Sequence, residues 1–469
     1  MFLRQAGALQ RPRHDCRERD GTRRRPAATA GDDRPAWKKG FCEMTIQDSK
    51  VTAPDLTAEI FTPANLSCPH ATWAKLRDQC PVPRVNLPGP DAGTYLITRK
   101  ADIEFVASHP EIFASEVSPD VWRWGSDLGP DFADIFADGG YTPIHTVVTS
   151  DPPRAHKYRM IALEALAPAR VKKRAGDLQK IVDDLIAPMP EGEVFDFRAA
   201  FTVPVPLQAI ISVFGLPLED SEFIYDFTCA HLSMVDPITP LETARDNARL
   251  FVAAQKYLIE KLDQYRKAPE VNFLSYIANW RSKEGEALST EEALSMAFVT
   301  LIGGNETTRN ALSTAMYVLA RDPELWARLD ADRDLIPSFC EEIVRFGSPA
   351  TMTPRQVVQD TVLNGTPMAK GAAVYVLWGS GSHDDTAFDA PGEIQLGRPN
   401  GRAHTSFGYG VHHCAGIHFA RLEMIMSVGA WLDAFESVEL VAPEGGLDYE
   451  PAFAIRALPQ VPVRVKRRA

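Results

Sequence analysis

The sequence predicts a mainly α fold with a smaller β-rich part. Three observations predict it. Residues 170–285 carry apolar side chains three and four apart, as in Ile181, Leu185 and Ile186, which is the spacing of amphipathic helices. Ser289 and Glu292 have the spacing of a capping box, and after them Leu294, Ala297, Phe298, Leu301 and Ile302 recur with helical period. The extended signal is slight by comparison: residues 94–98 read TYLIT, a short strand.

Composition bounds the rest. With 469 residues, 45% of them hydrophobic and 24% charged, the chain can bury a large core. It holds no run of about 18 apolar residues, so no membrane anchor is expected. A net charge of −12 argues against nucleic acid as the main partner. Seven scattered cysteines without framework spacing read as reduced thiols of a cytoplasmic protein.

In chain order, residues 1–40 are crowded with Arg11, Arg13, Arg17, Arg19, Arg23, Arg24 and Arg25 and hold little apolar material. Such a segment cannot bury enough surface to order itself. Residues 1–45 are therefore expected to be a disordered basic extension, and residues 46–469 a single domain. Asp15, Glu18, Asp20, Asp32 and Asp33 count against an organelle transit peptide, and no apolar h-region is present. Met44 opens a second plausible start, so an over-extended reading frame or a disordered tail is favoured over targeting.

The strand at 94–98 leads into the helical run ADIEFVASHPEIF. Residues 118–144 mix Trp122 and Trp124 with Gly125, Gly129, Gly139 and Gly140, which reads as a mobile loop over a pocket or as a surface insertion. Asp151-Pro152-Pro153 is a helix start, since proline in the first turn needs no N–H and the acid suits the dipole. Residues 207–214 fit a buried helix. Residues 223–235 and 250–265 fit helices whose Phe223, Phe227, Leu232 and Met234 face either a pocket or the core.

The long helix carries a defect. Gly303 and Gly304 each cost about 1 kcal/mol relative to alanine mid-helix. The acid Glu306 and the alcohols Thr307 and Thr308 follow almost at once. The helical pattern breaks here, suggesting a place where a ligand touches the backbone, and resumes through Leu312, Met316 and Leu319. Near the C-terminus, residues 404–423 hold Cys414 between a glycine-punctuated loop and a new helical pattern. A cysteine there meets orphan N–H groups and the positive dipole end, which stabilise a thiolate. A buried structural cysteine, or a metal site of His412, His413 and Cys414, are the alternatives, although adjacent loop residues rarely converge on one ion.

Phe407, Gly410, His412, Cys414 and Gly416 fall on the pattern F-x-x-G-x-[HR]-x-C-x-G, and the chain resembles the cytochrome P450 family in a soluble bacterial form. The resemblance runs from about Asp55 to the C-terminus and implies the cytochrome P450 fold. It implies heme b, with Cys414 as the axial iron ligand and Phe407, Gly408, Gly416, Gly303 and Gly304 against the macrocycle. Glu306 and Thr307 match the family's acid–alcohol pair, the alcohol holding the activated oxygen and an ordered water, the acid feeding protons from solvent. Glu342 and Arg345 match its ExxR pair, completed by Arg398 as structural scaffolding. Arg355, His404 and Arg159 match its propionate donors, with Ala155 where relatives carry the histidine that here stands at His156. Ser382-His383-Asp384 departs from the usual Asn-Arg-Asp.

The activity implied is that of a monooxygenase, an oxidoreductase that inserts one oxygen atom from O2 into a C–H bond. No flavin or nicotinamide fingerprint is present, so electrons are expected from a separate ferredoxin and reductase, docking beside Arg159, Arg402, His412 and His413. Phe298, Leu301, Ile302, Ala350, Thr351, Met352, Phe453 and Ala454 are expected to line the cavity over the iron, with Trp122 and Trp124 at its mouth. That lining is apolar and offers no arginine for a carboxylate, so a neutral terpenoid or steroid-like substrate is expected, acting on a monomeric enzyme. The alternatives are a non-catalytic heme-binding sensor of the same fold and a hydroxylase of an aromatic or fatty acid.

Overall fold

The computed structural model describes residues 59–86, 90–118, 121, 132–235, 240–443 and 445–468. The expectations for residues 1–45, Trp122 and Trp124 lie outside them, as do those for the side chains of Leu232 and Met234.

Eleven principal helices are numbered here: α1 (His70–Gln79), α2 (Lys100–Ser108), α3 (Ala133–Ala137), α4 (Arg154–Ala165), α5 (Ala175–Ile186), α6 (Pro204–Phe214), α7 (Ser221–Val235), α8 (Leu241–Lys267), α9 (Thr290–Arg321), α10 (Ile336–Gly347) and α11 (Ile417–Ala434). The strands are β1 (Arg84–Val85), β2 (Thr94–Ile97), β3 (Phe113–Ala114), β4 (Val194–Asp196), β5 (Thr353–Val357), β6 (Thr361–Leu363), β7 (Thr366–Met368), β8 (Ala373–Val376), β9 (Phe435–Leu440) and β10 (Pro462–Arg467). They form a five-stranded sheet in the order β1-β2-β8-β5-β3, a three-stranded sheet β4-β10-β9 and the hairpin β6-β7. Only β2 and β8 pair in parallel, and Arg355 of β5 lies opposite Val374 of β8. The fold is thus mainly α with a smaller β part.

Helix α9 is the axis of the molecule. Its first turn is closed reciprocally, Ser289 Oγ accepting from the Glu292 N–H at 3.1 Å and Glu292 Oε2 from the Ser289 N–H at 2.8 Å. The break expected at Gly303-Gly304 does not occur, and the helix runs through both residues. Thr307 Oγ1 donates to the Gly303 carbonyl at 2.7 Å, and an added Cβ on Gly304 would lie 3.0 Å from Ile210 of α6. Packing therefore carries the helix across its two weakest positions.

Two apolar clusters flank this axis. One gathers α5, α6, α10 and α11 around the second half of α9, with Trp431 set edge-on to Phe197 and Phe201 at 5.2 and 5.4 Å. Such aromatic pairs contribute about 0.5–1.5 kcal/mol beyond the area they bury. The other cluster gathers α6, α7 and α8 around the first half, with Phe223 packed against it and Phe227 inside it.

The helix start at residues 151–153 differs in detail from expectation. Helix α4 begins at Arg154, but the Asp151 carboxylate accepts from the N–H groups of Ser115 and Glu116, both at 2.9 Å, and so ties down the end of β3 instead of its own helix. Cys229, Cys340 and Cys414 form no disulfide, whereas Cys68 is disulfide-bonded, contrary to the expectation of reduced thiols throughout. Among the described residues no helix is long and apolar enough to cross a membrane.

Candidate active site

Cys414 closes a loop that turns on Gly408 and Gly410, at φ 72° and 68°. Gly410 is doubly required, because a Cβ there would sit 2.4 Å from the Ala107 carbonyl oxygen of α2. The Cys414 N–H donates to the Phe407 carbonyl at 2.8 Å, and α11 follows directly. Burial pushes the Cys414 thiol up. The N–H groups of Gly416 and Ile417 and the charges of Arg159 and Arg421 oppose this and favour the thiolate. A Cβ on Gly416 would meet nothing within 4 Å, so the loop is open there.

Three basic groups cluster beside the loop, Arg159 acting on the sulfur and, with Arg355, on His412. Arg159 of α4 donates from Nη1 to the His413 carbonyl at 2.6 Å. Arg355 is buried, its Nη1 donates to the Pro354 carbonyl at 2.6 Å, and it makes no ion pair among the described residues. Burial pushes its guanidinium down to about 10. His412 directs Nδ1 to the Val147 carbonyl at 3.1 Å and leaves Nε2 buried without a partner. Burial, then the neighbouring Arg355 and Arg159, push its imidazole down to about 4. Arg355 and Arg159 both disfavour a charge on His412, and an anionic group among the three would favour their charged forms.

His404, expected in this set, belongs elsewhere. Its Nε2 lies 3.1 Å from Glu341 Oε1, and its Nδ1 accepts from the Ser406 N–H at 3.2 Å. Both ring nitrogens are committed, so neither is left for a ligand. Arg421 clamps the same carboxylate at 2.6 and 2.9 Å. Burial alone would push Glu341 up, but the His404 and Arg421 hydrogen bonds hold it at about 2. Of the two, His412, near Arg355 and Arg159, is the histidine with a ring nitrogen left unpartnered. It stands inside the cysteine motif itself, where its spacing was the available signal. His156 is exposed.

Across from the loop, Gly303 is exposed within α9 and a Cβ on it would meet nothing within 4 Å, with Thr307 one turn on. Glu306 is buried and ion-paired with Arg309. Burial still pushes its carboxyl up, against Arg309 and Arg198. Arg309 in turn lies 5.5 Å over the Tyr225 ring of α7. Glu342, Arg345 and Arg398 come together as one buried cluster: Arg345 bonds both Glu342 oxygens at 2.8 and 3.0 Å, and Arg398 Nε adds a bond at 3.0 Å. At the Ser382-His383-Asp384 departure, the His383 ring lies against His70 at 4.1 Å, tilted by 39°.

Comparison with known proteins decides what this arrangement is. The Cytochrome P450 family profile matches residues 235–455. A methyl-branched lipid omega-hydroxylase of Mycobacterium tuberculosis is 30% identical over 391 residues, covering 81% of this chain and 86% of that protein. The chain belongs to the cytochrome P450 family. It is a cytochrome P450 monooxygenase, an oxidoreductase, and the family implies a heme cofactor with a cysteine thiolate ligand. A vitamin D(3) 25-hydroxylase of Pseudonocardia autotrophica is 28% identical, covering 86% of this chain and 94% of that one. Among solved structures, cytochromes P450 from Chondromyces apiculatus and Novosphingobium aromaticivorans superpose with TM-scores of 0.75 and 0.76 at 25% identity. They cover 87% and 88% of this chain, and each is covered to 98%.

Within this P450, a cavity lies between Tyr141, Ile144, His231, Phe251, Gln255 and Phe298. Of the expected lining residues only Phe298 borders it, its ring tilted by 41° against Phe251 at 4.3 Å. Leu301 and Ile302 are buried in the apolar cluster between α9 and helices α6, α7 and α8. Thr351 Oγ1 donates to the Phe453 carbonyl at 2.6 Å, and Met352 packs with Tyr375, beside Phe453. Gln255, Glu341 and Arg421 escaped sequence reasoning, because nothing local distinguishes them from other helical polar residues.

Proposed function

We propose that residues 46–469 form a single domain holding heme b. Cys414 would ligate the iron. Arg159, Arg355 and His412 would take the propionates, and Phe407, Gly408, Gly416, Gly303 and Gly304 would border the macrocycle. The observation that carries this is the uncompensated basic set beside Cys414. A buried guanidinium without an ion pair and an imidazole with an orphan Nε2 fit two carboxylates. The open space at Gly303 and Gly416 fits a flat ligand between α9 and the cysteine loop.

When bound, the heme supplies oxygen activation with a thiolate that pushes electron density toward O–O cleavage. The chain's own residues do the rest. The N–H groups of Gly416 and Ile417 favour the anionic sulfur against the burial that disfavours it. Thr307, whose hydroxyl rests on the Gly303 carbonyl, would hold an ordered water at the helix face. Glu306 moves protons toward Thr307, and its raised proton affinity in a buried pair suits a group that both takes and gives a proton. Arg345, Glu342 and Arg398 keep the loop's support rigid without touching the reaction.

The substrate is read as hydrophobic, terpenoid or steroid-like, hydroxylated at an aliphatic carbon. Phe298 and Phe251 border a cavity of about 20 Å3, which must widen to take such a substrate; apolar burial then contributes about 25 cal/mol per Å2. Electrons come from a separate ferredoxin-type donor at the Cys414 face. Arg402 is exposed there and His413 half-buried, while His412 turns inward and so leaves the docking surface to them and to Arg159. Turnover of a terpenoid alcohol series with a surrogate ferredoxin and reductase under isotopically labelled O2 tests this reading. One labelled oxygen atom per product is expected. Label-free product, or electron consumption with no product from any member of the series, would overturn it.

A further inference from the structure

The segment 139–144 crosses the cavity as a strap, and two buried side chains hold it by its backbone. Gln255 of α8, 1% exposed, bonds both polar groups of Tyr141: Oε1 accepts the Tyr141 N–H at 2.8 Å and Nε2 donates to the Tyr141 carbonyl at 2.6 Å. One carboxamide thus replaces a strand partner. Three residues on, Ser295 Oγ of α9 accepts the Ile144 N–H at 3.0 Å. The glycines fit this docking. Gly139 turns at φ 79°, and a Cβ on Gly140 would lie 2.8 Å from Val252 Cγ2 and 3.2 Å from Gln255 Oε1. Behind the strap lie Phe251, His231 and Phe298, the cavity's inner wall.

We propose that Gln255 is a specificity-determining residue, which sets the size of ligand admitted by latching this strap across the cavity. A buried carboxamide that lost the strap would leave donor and acceptor unpaired, so the closed position is favoured even without ligand. Opening must break both Gln255 bonds and the Ser295 bond together. Bulky ligands wait for that opening, whereas a diatomic gas need not. The proposal rests on the reading that this cavity leads to the heme.

The test uses the full-length holoenzyme and two variants, Gln255→Met and Gly140→Ala. Gln255→Met keeps the side-chain length and removes both bonds. Gly140→Ala leaves Gln255 in place and pushes the strap away from it, so a fold defect in one is checked by the other. Hydrogen exchange is read at the Tyr141 and Ile144 amides. Binding and release of 1-phenylimidazole and of carbon monoxide are followed at the heme. Exchange at both amides, and both 1-phenylimidazole rates, should rise about tenfold in Gln255→Met and Gly140→Ala, with carbon monoxide rates unchanged. Unchanged exchange in both variants would overturn the latch. Faster exchange with unchanged 1-phenylimidazole rates would overturn its role in admission. If 1-phenylimidazole failed to perturb the wild-type heme, the heme reading would fail, while the exchange arm would still judge the latch.

Discussion

Gly410→Ala should uncouple the cysteine loop from α2, and Gly408→Ala should not. Both positions have left-handed backbones, at φ 68° and 72°. Placing alanine there costs about 1–2 kcal/mol in each case. Their surroundings separate them. A Cβ at 408 would find its nearest neighbour, the His412 carbonyl oxygen, at 3.5 Å, an ordinary contact. At 410 it would sit 2.4 Å from the Ala107 carbonyl oxygen, and backbone cannot yield as a side-chain tip does. Relief requires moving the loop, which adds about 1–3 kcal/mol of packing strain. Unfolding entropy near 2.1 cal/mol/K per residue over about 400 folded residues gives roughly 0.8 kcal/mol per degree. Gly408→Ala should then lower Tm by roughly 1–2.5 °C and Gly410→Ala by roughly 2.5–6 °C. Only the second should also lose heme, because Cys414 is four residues away and held to Phe407 through its N–H. Heme content and Tm of the two purified variants decide it. Equal Tm and equal heme content would refute the close approach at Ala107.

Glu341, held at about 2 against an ordinary 4.5, contributes stability above pH 4.5 that fades as pH falls toward 2. Glu341→Gln should remove up to about 3 kcal/mol at neutral pH and flatten this acid limb, measured by denaturant unfolding against pH. Thr307→Ala should keep heme and ligand binding but divert electrons to hydrogen peroxide, counted as peroxide per electron. Glu306→Gln should lower kcat more than it raises KM. Matched alcohols, ketones and acids of one terpenoid skeleton, titrated by heme spin state, should bind with the acids weakest. Reduction by an acidic ferredoxin should slow as salt rises, since Arg402 and Arg159 steer it.

Much of the fold was legible because its signals are local. The capping box at Ser289, the period of α9 and the strand at residues 94–97 are each set by neighbours in sequence. The cysteine motif was legible for the same reason. What sequence could not give depends on contacts across hundreds of residues. Glycines at 303 and 304 read as a break, but Ile210, some 90 positions earlier, packs against the helix there and holds it. His404 and His412 are chemically alike on paper, and only their partners, Glu341 and the Val147 carbonyl, separate a structural imidazole from one aimed at a ligand. Asp151 looks like a helix-start acid until β3 is seen to end beside it. The strap held by Gln255 is invisible in sequence because its recognised partner is backbone, which every residue has.

The most direct test of the account is the reduced carbon monoxide spectrum of the wild type beside Cys414→Ala. The wild type should show the strongly red-shifted Soret band of a thiolate heme, and the variant should lack it while Arg355, Arg159 and His412 still retain some heme. The same red-shifted band in Cys414→Ala, or its absence from a heme-replete wild type, would contradict the assignment of Cys414.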